Sequence, residues 1–252
     1  MIRHRPRTAA RQVPAALVAL ALLASQADLP AAHAAAAPEH LLVVTDINYP
    51  PYLFRNEDGQ LQGILKDKWE LWSRRNRVPV QLVGMEWSKA QESVQNGSAD
   101  VIEALAYTPA RVNLYEFSPA YAPIEARVYF HRSISGISDV ASMRGFTLGA
   151  KDGSACASWL RERGVTRIRP YPSSEVLVRA AGAGEVRLFC MDSPVAQYLL
   201  FKLGLAEDFR ETPPLYSAEF HWAVKKLSSA GVEEGLVRKV EACRILLHSG
   251  EI

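Results

Sequence analysis

The 252-residue chain carries 29 Lys and Arg against 27 Asp and Glu, a net charge of +2, and part of that excess sits in its arginine-rich amino terminus. No basic stripe with interleaved aromatics is present, which excludes the usual footprint of a nucleic-acid binder. The three cysteines, Cys156, Cys190 and Cys243, lack metal-site spacing, and an odd count leaves at least one thiol outside any intrachain disulfide.

Residues 1–34 read as a secretory signal peptide. Arg3, Arg5, Arg7 and Arg11 form a basic start, Val13 to Leu23 an apolar run, and Ala32-His33-Ala34 a small-x-small cleavage site. The run is shorter than the roughly 20 residues needed to span a bilayer. The mature chain is therefore expected to start near Ala35 and to be exported to the periplasm, where disulfides are permitted. Pairing of Cys156 with Cys190 stays open, with free buried thiols the expected state. About 215 residues remain, enough for one large domain or two ordinary lobes.

Strands and helices then alternate. Leu41–Asp46 is an apolar strand. Leu65, Trp69 and Trp72 fall on one face of a helix. Val80–Met85 is a strand, Trp87–Gln95 a helix and Val101–Leu105 a strand. The last of these breaks at Thr108-Pro109 and presents Arg111 at an expected strand-to-helix turn. An extended run follows at 124–130, then a turn-rich segment around Ser135–Gly145. Strands are expected at Phe146–Lys151, Arg167–Pro170 and Val186–Met191, and helices at Ser154–Arg163, Ser174–Ala183 and Pro194–Leu203. Phe220–Lys225 is extended, and Val232, Leu236, Val240, Cys243 and Leu247 form the stripe of a final helix. The alternation predicts an α/β architecture with largely parallel sheets.

Six segments carry a family resemblance in order: LLVVTDINYPPYLF (41–54), GILKDKWELW (63–72), EWSKAQESVQNGSAD (86–100), TPAR with FSPAY (108–121), GAKDGSACASWL (149–160) and LFCMDSPVAQYL (188–199). Together they resemble the family 3 extracellular solute-binding proteins, most of all the periplasmic sensor domains of bacterial signalling proteins. The resemblance implies a type II periplasmic-binding-protein fold: two α/β lobes, joined by two crossover segments, with a ligand cleft between them. Crossings near Ser118–Ile124 and Ser217–Trp222 would give a discontinuous first lobe, 38–121 with 218–252, and a second lobe, 122–217. The implied function is capture of a small amino-acid-like ligand by lobe closure, for uptake through a membrane permease or for a signalling protein. No cofactor, metal or nucleic acid is expected, and the chain is expected to act as a monomer.

The cleft is expected to hold Asp46, Tyr49, Trp87 and Arg111 from the first lobe and Gly153, Ser154 and Asp192 from the second. An arginine fork suits a carboxylate, and amides at a helix start suit the same anion. The family assigns Asp192 to the ligand's ammonium. Two aromatic faces with a carboxylate make arginine or another cationic amino acid the first expectation. Local alternatives remain: an Asx turn for Asp46, caps for Ser154 and Asp192, and plain packing for Tyr49 and Trp87. Departures from the family pattern, Ala155 and the segment around Glu103, keep open a partner-binding module with a degenerate cleft. A cyclohexadienyl dehydratase-like enzyme is the other alternative, with Glu103 or Asp192 as acid.

Overall fold

The computed structural model describes residues 40–227. The signal peptide expected at 1–34 and the final amphipathic helix lie outside them. In chain order the elements are β1 (Leu41–Asp46), β2 (Phe54–Arg55), β3 (Leu61–Gln62), α1 (Ile64–Asn76), β4 (Val80–Met85), α2 (Trp87–Gln95), β5 (Val101–Ala106) and β6 (Tyr115–Phe117). There follow β7 (Ala122–His131), β8 (Leu148–Lys151), α3 (Ala155–Glu162), β9 (Ile168–Tyr171), α4 (Ser174–Gly182), β10 (Leu188–Asp192), α5 (Ser193–Lys202), β11 (Phe209–Glu211) and β12 (Tyr216–Lys225).

β1 is a nearly continuous apolar run because both its faces are covered. It pairs in parallel with β4 and β5. On one face α1 lays Trp69 and Trp72 against Leu41, Val43 and Trp222. On the other, α2 packs Trp87, Ala90 and Val94 against Val44 and Ile102. Successive residues of one strand thus serve opposite cores. The second lobe repeats the plan around β10: Phe189 and Met191 face α4 and α5, while Leu188 and Cys190 face α3.

Gly63 caps α1 at φ 126°, where a Cβ would lie 2.3 Å from the Tyr52 carbonyl oxygen. That closeness is used: the Ile64 and Leu65 amides donate to the Pro51 and Tyr52 carbonyls at 3.2 and 3.0 Å. First-turn amides that lack helical acceptors thereby fasten the Tyr49–Tyr52 loop against the helix.

The sheets differ from expectation in two ways. The structure has one mixed sheet running through both lobes, in the order β4-β1-β5-β12-β7-β10-β8-β9, rather than a separate, largely parallel sheet in each. The cause is that both crossovers are long strands that pair with each other. β7 and β12 run antiparallel from Ala122↔Phe220 to Ala126↔Tyr216. Beyond that shared stretch β7 continues along β10 and β12 along β5. Two adjacent, paired strands thus carry the chain between the lobes.

Candidate functional site

Where β7 and β12 exchange partners, the carboxyl ends of β1, β5, β8 and β10 meet, the usual place for a crevice in an open α/β sheet. The lining includes Thr45, Asp46, Tyr49, Trp87, Arg111, Lys151, Ser154, Asp192 and Tyr216.

Asp46 closes β1 and uses its two carboxylate oxygens differently. Oδ1 accepts the Asn48 amide at 2.9 Å, an Asx turn. Oδ2 takes the Lys151 ammonium in a buried salt bridge. Tyr49, on the loop held by α1, donates its hydroxyl to Asp192 across the cleft. Burial, then the Asp192 charge, pushes that phenol well above its ordinary pKa. Trp87 begins α2, is buried, and donates its indole N–H to the Gly153 carbonyl at 3.1 Å.

Arg111 does not open a helix. Between β5 and β6 the chain makes consecutive turns, with the Arg111 and Val112 amides both bonded to the Thr108 carbonyl. The connection after Pro109 is too short for a helix before β6 begins. Its guanidinium donates from Nη1 to the Ala106 carbonyl at 2.9 Å and from Nη2 to the Gly153 carbonyl at 2.9 Å and Gln91 Oε1 at 3.4 Å. Burial lowers its pKa, yet an arginine stays charged.

From the second lobe, Gly153 turns at φ +64°, a left-handed conformation that glycine adopts without a Cβ penalty. Ser154 caps α3 by accepting the Ala157 amide at 3.2 Å. The amides of Ala155 and Cys156 come before the first helical acceptor, and both residues line the cleft. Asp192 stands at the cap position of α5 but makes no side-chain cap bond. Loss of water raises its pKa, outweighing the opposing pull of Tyr49, Lys151 and Arg111.

Six of the seven expected residues line one cleft, and Gly153 borders it as the acceptor of Trp87 and Arg111; Tyr49 is bonded to Asp192 across it and Asp46 to Lys151. About 50 Å³ of space is left between them, against roughly 300–1,000 Å³ for ligand pockets in general.

Three features were not legible from sequence. Lys151 points into the site; its only sequence signal is a lysine closing an otherwise apolar strand, since lysine is rarely fully buried without a partner. Glu103 faces away from the cleft. A bulge in the β5–β12 ladder, with Ala104 at φ 56°, puts Ala104 in the lining instead. The Glu103 carboxylate lies beneath α1, accepting from Trp69 Nε1 at 2.6 Å, Lys68 Nζ at 3.0 Å, the Ala104 amide at 2.9 Å and Tyr121. The third is the disulfide between Cys156 and Cys190, where free thiols were expected. The start of α3 lies on β10, with the Cα atoms 6.2 Å apart, inside the range a disulfide spans.

A model of the bacterial extracellular solute-binding proteins, family 3, matches residues 41–240. An L-cystine-binding protein of Escherichia coli (strain K12) is 25% identical over 166 residues, covering 64% of this chain. The chain thus spans 62% of that relative's length. Among solved structures, the sensor domain of a histidine kinase with similarity to periplasmic binding proteins superposes with a TM-score of 0.70 at 19% identity, over 82% of this chain and 90% of that one. The arginine-, lysine-, histidine-binding protein of Geobacillus stearothermophilus gives 0.67 at 18% identity, over 84% and 90%. The fold is that of the type II periplasmic binding proteins.

Proposed function

Because the chain belongs to the bacterial extracellular solute-binding proteins, family 3, we propose that it is an exported receptor domain that takes one amino-acid-like zwitterion into its cleft by lobe closure. The first lobe comprises 38–121 and the chain from 218 onward, and the second 122–217. One observation carries the reading. Arg111, from the first lobe, reaches the Gly153 carbonyl at the head of α3 in the second, beside the amides of Ala155 and Cys156. A carboxylate arriving there gains a two-donor fork and helix-start amides together, and Arg111 gives up only a neutral carbonyl. The ligand's ammonium falls to Asp192, displacing the Tyr49 hydroxyl.

Uptake is supported by the cystine-binding relative and sensing by the likeness to a kinase sensor domain; under either reading the domain works in the periplasm beside a membrane partner. The reading as a binder rather than an enzyme is supported by the relatives, which are binding proteins. The cross-cleft bonding favours one second reading, in which the self-closed form is the working form and the fold serves contact with another protein. Thermal shift against an amino-acid panel decides between them, followed by calorimetry on Arg111→Ala. A zwitterion that raises Tm, and binds at least hundredfold more weakly to the variant, supports the receptor. No response to any amino acid supports the self-closed module. Binding undiminished without Arg111 removes the carboxylate clamp.

A further inference from the structure

The site contains a cation of its own. Lys151 Nζ is bonded to Asp46 and lies 4.9 Å from the centre of the Tyr49 ring and 5.3 Å from that of Trp87. A carboxylate between two aromatic faces is the chemistry that holds an ammonium or guanidinium. Here all three groups come from the first lobe and the cation from the end of β8 in the second. Both partners are largely removed from water, with side-chain exposures of 11% for Lys151 and 3% for Asp46.

We propose that Lys151 is an internal occupant of the cation subsite and sets the ligand class: zwitterionic amino acids whose side chain ends in an amide or carboxylate, not cationic ones. The argument rests on the receptor reading above. A ligand guanidinium bound by Asp46 and the two rings would have to expel Lys151 from its salt bridge with Asp46 or lie beside a like charge in a half-dry cleft. An ammonium has three N–H donors. With one on Asp46, the others are available to an acceptor on the ligand, so a distal amide or carboxylate gains a charge-assisted hydrogen bond. The first expectation from sequence, a cationic amino acid, counted Asp46, Tyr49 and Trp87 as free. In the folded chain Lys151 already uses them. The same contacts link the lobes, so Lys151 also supports closure without any ligand.

The test is calorimetry with L-glutamine, L-glutamate, L-cystine, L-arginine and L-lysine on the exported chain, Lys151→Gln and Lys151→Arg. The wild type is expected to bind glutamine or glutamate at least tenfold more tightly than arginine. Lys151→Gln, which frees Asp46, is expected to shift the arginine-to-glutamine affinity ratio at least tenfold toward arginine. Lys151→Arg keeps the cation and is expected to keep the wild-type order. Arginine bound by the wild type as tightly as glutamine overturns the proposal even if Lys151→Gln does not fold. An unchanged ratio in a folded Lys151→Gln overturns it too, and in both cases the receptor reading stands because a zwitterion is bound. If no amino acid binds to any of the three proteins, the receptor reading itself fails and takes this inference with it.

Discussion

Arg111 Nη2 and the carbonyl oxygen of Gly153 meet at 2.9 Å from opposite sides of the cleft. The Arg111 guanidinium is thus aimed at the residue that precedes the cap of α3. A carboxylate adds an opposite charge and a second acceptor oxygen for the fork, which a neutral carbonyl lacks.

Arg111→Lys tests geometry rather than charge. A lysine keeps the cation but loses the planar pair of donors that matches a carboxylate. Truncating one partner of a buried charged pair costs about 2–5 kcal/mol in binding. Calorimetry is expected to show a loss near the low end of that range for Arg111→Lys and near the high end for Arg111→Ala. Chemical denaturation of the two variants should differ far less.

Much of the fold is legible in the residues. Val43 and Val44 announce a strand buried on both faces, and Leu65, Trp69 and Trp72 the buried face of a helix; α2 runs over the very residues expected, Trp87–Gln95. Those signals are local and periodic. What escaped was contact between distant segments. Nothing near Lys151 says that Asp46, 105 positions earlier, will face it, and Cys156 and Cys190 carry no spacing that identifies partners. The direction of Glu103 depended on a bulge at Ala104, which a period-of-two reading cannot anticipate. Six of the seven residues named from sequence line the cleft, but nothing local announces the bonds made across it.

Glu103 should be a stability residue. It is fully buried beside Lys68, whose pKa burial lowers despite the opposing pull of that carboxylate. Lys68 Nζ also lies over the Tyr121 ring at 3.5 Å and the Trp222 ring at 4.7 Å. Glu103→Leu leaves the ammonium and the Trp69 N–H without their acceptor, a loss of about 3–5 kcal/mol. The double variant Glu103→Leu/Lys68→Met removes both charges and should recover a large part of that loss. Urea unfolding of the two proteins checks this; equal destabilisation would mean the ion pair is incidental.

The Cys156–Cys190 disulfide closes a loop of sequence separation 34. Chain-entropy arguments give about 3–4 kcal/mol for a loop of that size. Cys156→Ala/Cys190→Ala is expected to lower Tm by roughly 10 °C for a domain of this length. A reducing agent should do the same to the wild type and leave the variant unchanged. The change also bears on the cleft, because the bond pins the start of α3, where the amides facing Arg111 lie. A parallel drop in ligand affinity is therefore expected.

Asp192 sets opposite pH dependences for stability and binding. Its pKa is raised in the folded protein, chiefly by loss of water. Between the unfolded and folded values the native state binds more protons than the unfolded chain, so this group's contribution to stability falls as pH rises through that window. Acidification through it protonates Asp192, relieves the buried charge and favours the ligand-free fold. The protonated acid is a poor acceptor for a ligand ammonium, so affinity should fall over the same interval, at higher pH than for an ordinary aspartate. Asp192→Asn is expected to abolish both dependences: it should be at least as stable as wild type at neutral pH and bind zwitterions more than tenfold more weakly. Calorimetric titrations and denaturant midpoints from pH 4 to 7 on both proteins read the two effects separately. If affinity holds through that interval, or if Asp192→Asn loses affinity on acidification as the wild type does, Asp192 is not the group that receives the ammonium.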